Sequence, residues 1–431
     1  MKIFVLILAV LMGMSASAQD WKAKANVYEV NIRQYTPEGT LNVFAKHLPR
    51  IKRLGIDIIW LMPVQPIGEK NRKGELGSYY SVKDYTAVNP EFGTAADFQN
   101  LVNQAHALGM KVILDWVANH SAWDNPWTVS HPDWYEKDST GGFLVPFDWT
   151  DVITLNYENK GLRKGMMDAM DFWVKTYGID GFRCDMAHLV PVDFWEEARQ
   201  TLDKNHTQYW LGETESPEYL KAFDVCYNWK LLHTMNAIAK GEKEPLTIID
   251  YQHEIDTLFY KGATLLSFVT NHDENSWNGT EYDRYGDRVA LYTILAFTLN
   301  GQPLVYSGQE AGLNKALRFF AKDTIDWKNL PQENLITQLL ELRHTEPALW
   351  SGNAENAPQF SKHVNSECLM YTRIAGESEI CVLANFSNTM ASYIVGTRNM
   401  AEDILGNRIY RSTEVISIPA GQALVLKITK R

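Results

Sequence analysis

The feature that most constrains this chain is an alternation, kept up from residue 27 to about residue 343, of short apolar runs with stretches of helical periodicity. Runs rich in β-branched and aromatic residues predict strands over 27–32, 56–61, 111–115, from 179, and over 209–213, 225–227, 265–269 and 303–306. Between them, apolar spacing predicts helices over 41–54, 95–108, 161–177, 288–299 and 335–343; Gly55 and Gly109 close the first two. Strands that alternate with helices pair in parallel, because each crossover must carry the chain back to the same edge. Eight such units favour a closed (β/α)8, or TIM, barrel over an open doubly wound sheet. No glycine-rich dinucleotide fingerprint follows the first strand, which weakens the open-sheet alternative further. Beyond about Asn353 the pattern changes to short alternating runs separated by turn residues, which predicts an antiparallel β-sandwich domain over 349–431.

The connection over 120–156 is too long for a simple βα loop and carries Trp123, Trp127, Trp134, Tyr135 and Trp149. It is expected to be a small lobe inserted after the third strand, with the barrel formed by 19–119 and 157–348. Residues 1–18 have a lysine, a short apolar run and a small-residue end at Ala18, the pattern of a secretory leader. That run is too short to span a bilayer. Export to the periplasm or the medium is therefore expected. The formal charge of -11 lacks a basic stripe, which argues against nucleic acid as a partner. The four cysteines have no zinc-site spacing. Cys184 reads as core filler, and Cys368 and Cys381 are placed where neighbouring strands could pair them.

Polar clusters fall at the predicted carboxyl ends of strands three, four, five and seven: Asp115 with Asn119 and His120; Arg183 with Asp185 and His188; Glu213; and His272 with Asp273. Active sites of such barrels assemble at that rim. Arg183 and Asp185, two apart on a strand, point the same way, and a guanidinium beside a carboxylate keeps it ionised, as a nucleophile requires. Glu213 follows an apolar Trp210-Leu211-Gly212 with no cation adjacent in sequence, and desolvation there would favour its protonated form. One carboxylate as nucleophile and another as acid, then base, is the requirement of retaining glycoside hydrolysis. Asp273 would be a third carboxylate, while His120 and His272 can hydrogen-bond hydroxyls as neutral rings.

The segments Asp115-Trp116-Val117-Ala118-Asn119-His120, Gly181-Phe182-Arg183-Cys184-Asp185, Leu211-Gly212-Glu213 and Phe268-Val269-Thr270-Asn271-His272-Asp273 resemble, in order and spacing, the four signature regions of the α-amylase family, glycoside hydrolase family 13. The resemblance implies Asp185 as nucleophile, Glu213 as acid/base and Asp273 as transition-state stabiliser. It implies that Arg183, His120 and His272 line the subsite where the bond breaks, and that Tyr80 stacks on the sugar there. The leading expectation is a hydrolase of α-1,4-glucans; an exo-acting α-glucosidase or a cyclomaltodextrinase-like hydrolase or transglycosylase is the alternative. The sandwich that precedes the barrel in cyclomaltodextrinases and neopullulanases is not expected here. A carbohydrate-binding protein that lost catalysis is the rival from another class, and the intact Asp185, Glu213 and Asp273 argue against it.

The chain departs from the family pattern at His188 and Leu189, where endo-acting α-amylases usually carry Lys-His. His188 would contact the leaving-group sugar or bond the loop backbone. Thr154 stands where a calcium-binding aspartate is usual; Asn119 remains, with Asp148 and Asp151 nearby. Calcium wants six to eight oxygen ligands including carboxylates, so the usual set is incomplete and no cofactor is expected.

Overall fold

The structure, a computed structural model, describes residues 21–204, 206–259, 263–361, 366–395 and 399–430. The leader-like segment 1–18 lies outside the described residues. Eight parallel strands close into a barrel: β1 (Val27–Val30), β2 (Ile58–Leu61), β3 (Lys111–Val117), β4 (Gly181–Asp185), β5 (Tyr209–Gly212), β6 (Val225–Tyr227), β7 (Leu265–Ser267) and β8 (Gln302–Tyr306). Each strand neighbours the next in sequence, and β8 pairs with β1 to close the ring.

These strands read as nearly unbroken apolar runs because both faces are buried. Val27, Ile58, Trp60, Ile113, Leu211, Tyr227 and Leu304 fill the barrel interior. Alternate residues, among them Ile59, Val112, Phe182, Cys184 and Trp210, pack outward against the helices. Cys184 therefore faces away from the pocket that Asp185 enters, as a period of two requires. Gly181 lies so close to the Tyr209 backbone that a Cβ there would overlap it. That approach pins the register Gly181 to Tyr209 and Cys184 to Gly212, which brings Asp185 and Glu213 to the same rim.

The helix between β3 and β4, Lys160–Tyr177, starts at Asn159, whose side chain accepts from the Gly161 and Leu162 amides, and ends at Gly178 in the left-handed region. Its buried Leu162, Met166, Ala169, Met170 and Trp173 keep the spacing read from the sequence. The helix expected over 41–54 is instead two, Leu41–Ala45 and Leu48–Leu54. The break falls just before Pro49, which has no N–H to continue the ladder and sits in the first turn of the second piece.

Residues 120–156 leave β3 through a short hairpin in which His120–Ala122 pairs antiparallel with Val152–Thr154. The carboxyl-terminal unit has a six-stranded antiparallel sheet and a separate two-stranded one. Buried Arg373 ties it to the barrel, donating to the Leu299 carbonyl at 3.0 Å. The pairing suggested for Cys368 and Cys381 is not formed. Cys368 stands opposite Asn385 and Cys381 opposite Thr372, four positions along the same strand pair. At ~3.4 Å per residue that separation exceeds a disulfide's reach. No helix among the described residues is long and apolar enough to cross a membrane.

Candidate active site

The carboxyl ends of the strands converge on one guanidinium. Arg183 on β4 is fully buried, and its Nη1 donates at 2.9 Å to Asp185 Oδ1 and at 2.9 Å to Asp115 Oδ1 of β3. Its Nη2 lies 2.9 Å from Glu213 Oε2 at the end of β5, an ion contact out of line for a hydrogen bond. Its Nε donates to the Tyr227 hydroxyl on β6 at 3.1 Å. Arg183 and Asp185 thus share a face, as the strand period predicted. Glu213, expected to lie away from any cation, touches Arg183 instead, because the neighbouring strand supplies a charge that sequence adjacency does not show. The Met186 amide also donates to Glu213 Oε2 at 2.8 Å, from a backbone held in the left-handed region at φ 42°.

Burial pushes the Asp185 carboxyl up from the ordinary carboxylate range, and Arg183 opposes that push. Burial likewise raises Asp115 against the pull of Arg183. The cation anticipated for the nucleophile is in place, but in a dry site it offsets desolvation rather than overwhelming it. Carboxyl groups here outnumber cationic ones, a crowding that favours retention of protons within the cluster.

Tyr80 and His272 form the opposite wall. Their rings stack at 5.4 Å between centroids, and the Tyr80 hydroxyl is 2.8 Å from His272 Nε2 and 3.1 Å from Asp115 Oδ2. On its other side His272 Nδ1 meets Glu29 Oε1 of β1 at 2.5 Å, and Asp273 Oδ2 is 3.3 Å from Nε2. Burial disfavours the imidazolium, yet Asp273 and Glu29 outweigh it and raise His272 to about 9. His272 is therefore cationic at neutral pH, which corrects the expectation of a neutral ring. His120 is the converse: burial pushes it down to about 4, so it stays neutral as expected. Its Nδ1 is 3.1 Å from Asn119 Nδ2, and Trp149 packs edge-on against it.

Asp273 was expected at the end of a strand. The strand stops at Ser267, and Asp273 stands in the first turn of a short helix, His272–Trp277, capped by the Asn271 side chain. It stays open to the cleft, its side chain 37% exposed against 9% for Asp185 and Glu213.

A cavity of about 370 Å³ is lined by Tyr80, His120, Asp185, Glu213, His272 and Asp273 and walled by Lys73, Trp149, Trp277, Phe319 and Phe320, with Arg183, Asp115 and Glu29 behind its surface. A second hollow of about 640 Å³ shares Met186, Glu213 and Asp273 with it and continues past His188, Glu215, Trp229 and His233. The two make one cleft with the carboxylates at the joint. His188 lies in the second half, its Nδ1 3.5 Å from the Glu213 carbonyl, so it faces the cleft and the loop backbone together.

Glu29, Lys73, Trp277, Phe319 and Phe320 were not singled out from the sequence. Glu29 was legible: a carboxylate inside an otherwise apolar buried strand needs a partner. Phe319 and Phe320 sit in a long loop whose folding no local pattern announces, and Trp277 ends the short helix that follows β7.

Calcium, which the family resemblance raises, does not fit the residues present. Asp151 Oδ1 lies 3.5 Å from Lys73 Nζ, and the same ammonium donates to the Asp148 carbonyl at 3.0 Å. Thr154 and Asn119 supply only neutral oxygens, short of the carboxylates the ion demands. Among the described residues no group of three or more His, Cys, Asp or Glu side chains is arranged to hold a metal.

Comparison with known proteins agrees with this geometry. A family model described as "Alpha amylase, catalytic domain" matches residues 16–133 and 123–363. Alpha-amylase MalA of Haloarcula japonica is 27% identical over 77% of this chain, which spans 50% of that protein's length. The α-1,4-glucan:maltose-1-phosphate maltosyltransferase of Arcanobacterium haemolyticum is 34% identical over 50% of this chain and 32% of its own. Among solved structures, the noncanonic maltogenic α-amylase AmyB of Thermotoga neapolitana superposes with a TM-score of 0.85 at 28% identity, covering 95% of this chain and 99% of that one. The closed barrel, the guanidinium-linked carboxylates and a family match over most of its length place this chain in the α-amylase family of glycoside hydrolases.

Proposed function

We propose that the protein is an exported, retaining hydrolase of α-1,4-linked glucans that works through a covalent glycosyl-enzyme on Asp185. The observation that carries this reading is the single guanidinium shared by Asp185 and Glu213. Two carboxylates on adjacent nitrogens of one group cannot stand far apart, and the retaining reaction asks for a separation of about 5 to 5.5 Å. Asp185 attacks the anomeric carbon of the sugar in the smaller cavity while Glu213 gives its proton to the departing glycosidic oxygen. Water then enters from the larger hollow, loses a proton to Glu213 and releases the glycosyl group from Asp185, regenerating both carboxyl groups. Asp273 faces the positive charge that develops on the ring, Tyr80 offers it an aromatic face, and Arg183 holds Asp185 and Glu213 from beneath.

Among the described residues, the larger hollow, where the leaving group departs, is bordered by Glu213, Glu215, Asp273 and Glu274 and by no lysine or arginine. A phosphate leaving group would meet like charge there, so a neutral sugar is the favoured occupant over a sugar phosphate. The leader-like sequence of residues 1–18 supports export, and amino-terminal sequencing of the secreted protein tests it by a start at residue 19. Asp185→Asn and Glu213→Gln, assayed on soluble starch and maltoheptaose, should each lose at least about 1,000-fold in kcat/KM. Near-wild-type turnover by either variant would refute the assignment.

A further inference from the structure

The two halves of the cleft differ in what closes them. The larger hollow is bordered by residues that follow β4, β5, β6 and β7. Across the barrel mouth, the smaller cavity ends against loops that follow β2, β3 and β8. Those loops are tied into one wall. From the β2 loop, Lys73 reaches the inserted lobe, donating to the Asp148 carbonyl at 3.0 Å and pairing with Asp151 at 3.5 Å. Three residues on, the same loop joins the β8 loop, the Leu76 amide donating to the Phe320 carbonyl at 2.8 Å. Beneath, the fully buried Arg33 guanidinium donates to the carbonyls of Leu76, Gly77 and Phe319, which bolts the two loops together.

The chemistry fixes which end of a glucan meets this wall. Asp185 attacks the anomeric carbon, so the sugar beside it keeps the non-reducing end of the chain, while the fragment beyond Glu213 carries the reducing end. A wall behind the first of these leaves room only for a short non-reducing stub.

We propose that the Lys73 tie makes the protein act from the non-reducing end of an α-glucan, and that Lys73 is a specificity-determining residue. This rests on the hydrolase reading above, with Asp185 as nucleophile. Lys73 acts by holding the inserted lobe against the β2 loop. Loss of its ammonium releases the Asp148 carbonyl at the lobe edge, while Asp151 stays held through its carbonyl by the Ser81 hydroxyl at 3.0 Å, and opens the cleft for a longer glycone.

The test uses 4-nitrophenyl maltoheptaoside, free or capped at its non-reducing end by an ethylidene acetal, with loss of the intact substrate and the fragments released followed by chromatography. The wild-type protein should turn over the capped substrate at least about 100-fold more slowly than the free one, a penalty set by steric exclusion. In Lys73→Ala the ratio of capped to free turnover should rise by about tenfold or more, and Lys73→Arg should keep it near the wild-type ratio. Equal turnover of both substrates by the wild-type protein would overturn the proposal, as would an unchanged ratio in Lys73→Ala. If the wild-type protein cleaves neither substrate, the hydrolase reading fails and takes this inference with it; cleavage of both at equal rates leaves that reading standing and removes only this one.

Discussion

Replacing Glu29 by glutamine removes one negative charge from beneath the active site and leaves its shape almost unchanged. Glu29 and His272 are both buried, and their contact is a 2.5 Å hydrogen bond. With His272 protonated, every proton has an acceptor: Nδ1–H goes to Glu29, Nε2–H to the Tyr80 hydroxyl, and Tyr80 donates in turn to Asp115. A neutral His272 would leave Nε2 competing with Asp115 for the one Tyr80 proton. The other groups facing the imidazole are Asp273, which favours its charge, and Arg183, which opposes it. A hydrogen bond to a charged group contributes about 1.5–3 kcal/mol net, and a pH unit corresponds to about 1.4 kcal/mol. Because His272 is raised to about 9, its charge is present at neutral pH and is lost as pH climbs through that value. Glu29→Gln should therefore move the basic limb of kcat/KM against pH downward by about one to two pH units. The assay is maltoheptaose hydrolysis from pH 5 to 10, with thermal melts to establish that the variant is folded over that range. A limb that stays in place, or moves upward, would refute the claim that Glu29 holds His272 cationic.

Other consequences follow from the same contacts. Arg183→Met strands Asp115, Asp185 and Glu213 without their cation, at a cost of about 3–5 kcal/mol in urea unfolding at pH 8. That cost should shrink at pH 5, because Asp115 and Asp185, both raised by burial, then take up protons. Gly181→Ala places a Cβ against the Tyr209 backbone, and a loss of about 3 kcal/mol or a failure to fold is expected; a melt matching wild type would contradict the register argument. Since the donor set around Asn119 does not fit calcium, overnight dialysis against EDTA should leave melting temperature and starch hydrolysis unchanged, and a fall restored by calcium would contradict that reading.

The barrel was legible because its strands are buried on both faces and so stand out as apolar runs against the amphipathic helices that cover them. Arg183, Asp185, Glu213 and His272 were legible because each follows such a run, where a rim position carries its side chain into a shared mouth. Charge states were harder to read. Sequence adjacency left Glu213 without a cation, whereas the strand register puts Arg183 against it. The same blindness made His272 neutral, since Glu29 lies 243 positions away and meets it only when β1 and β7 close into one ring. Lys73 and the Phe319-Phe320 wall stayed hidden for another reason: loop conformation depends on partners such as Arg33 that no short window contains. The division of helix 41–54 was available in Pro49, a residue whose missing N–H the apolar spacing outvoted.

In the proposed mechanism Asp185 carries the glycosyl group between the two halves of the reaction. A 5-fluoro-α-maltosyl fluoride slows release of that intermediate, and peptide mass spectrometry of the labelled protein then locates it. One 5-fluoromaltosyl unit is expected on the peptide that contains Asp185, absent from the Asp185→Asn variant. Label on Asp115, Glu213 or Asp273, or steady turnover of the reagent with no labelled peptide at all, would contradict it.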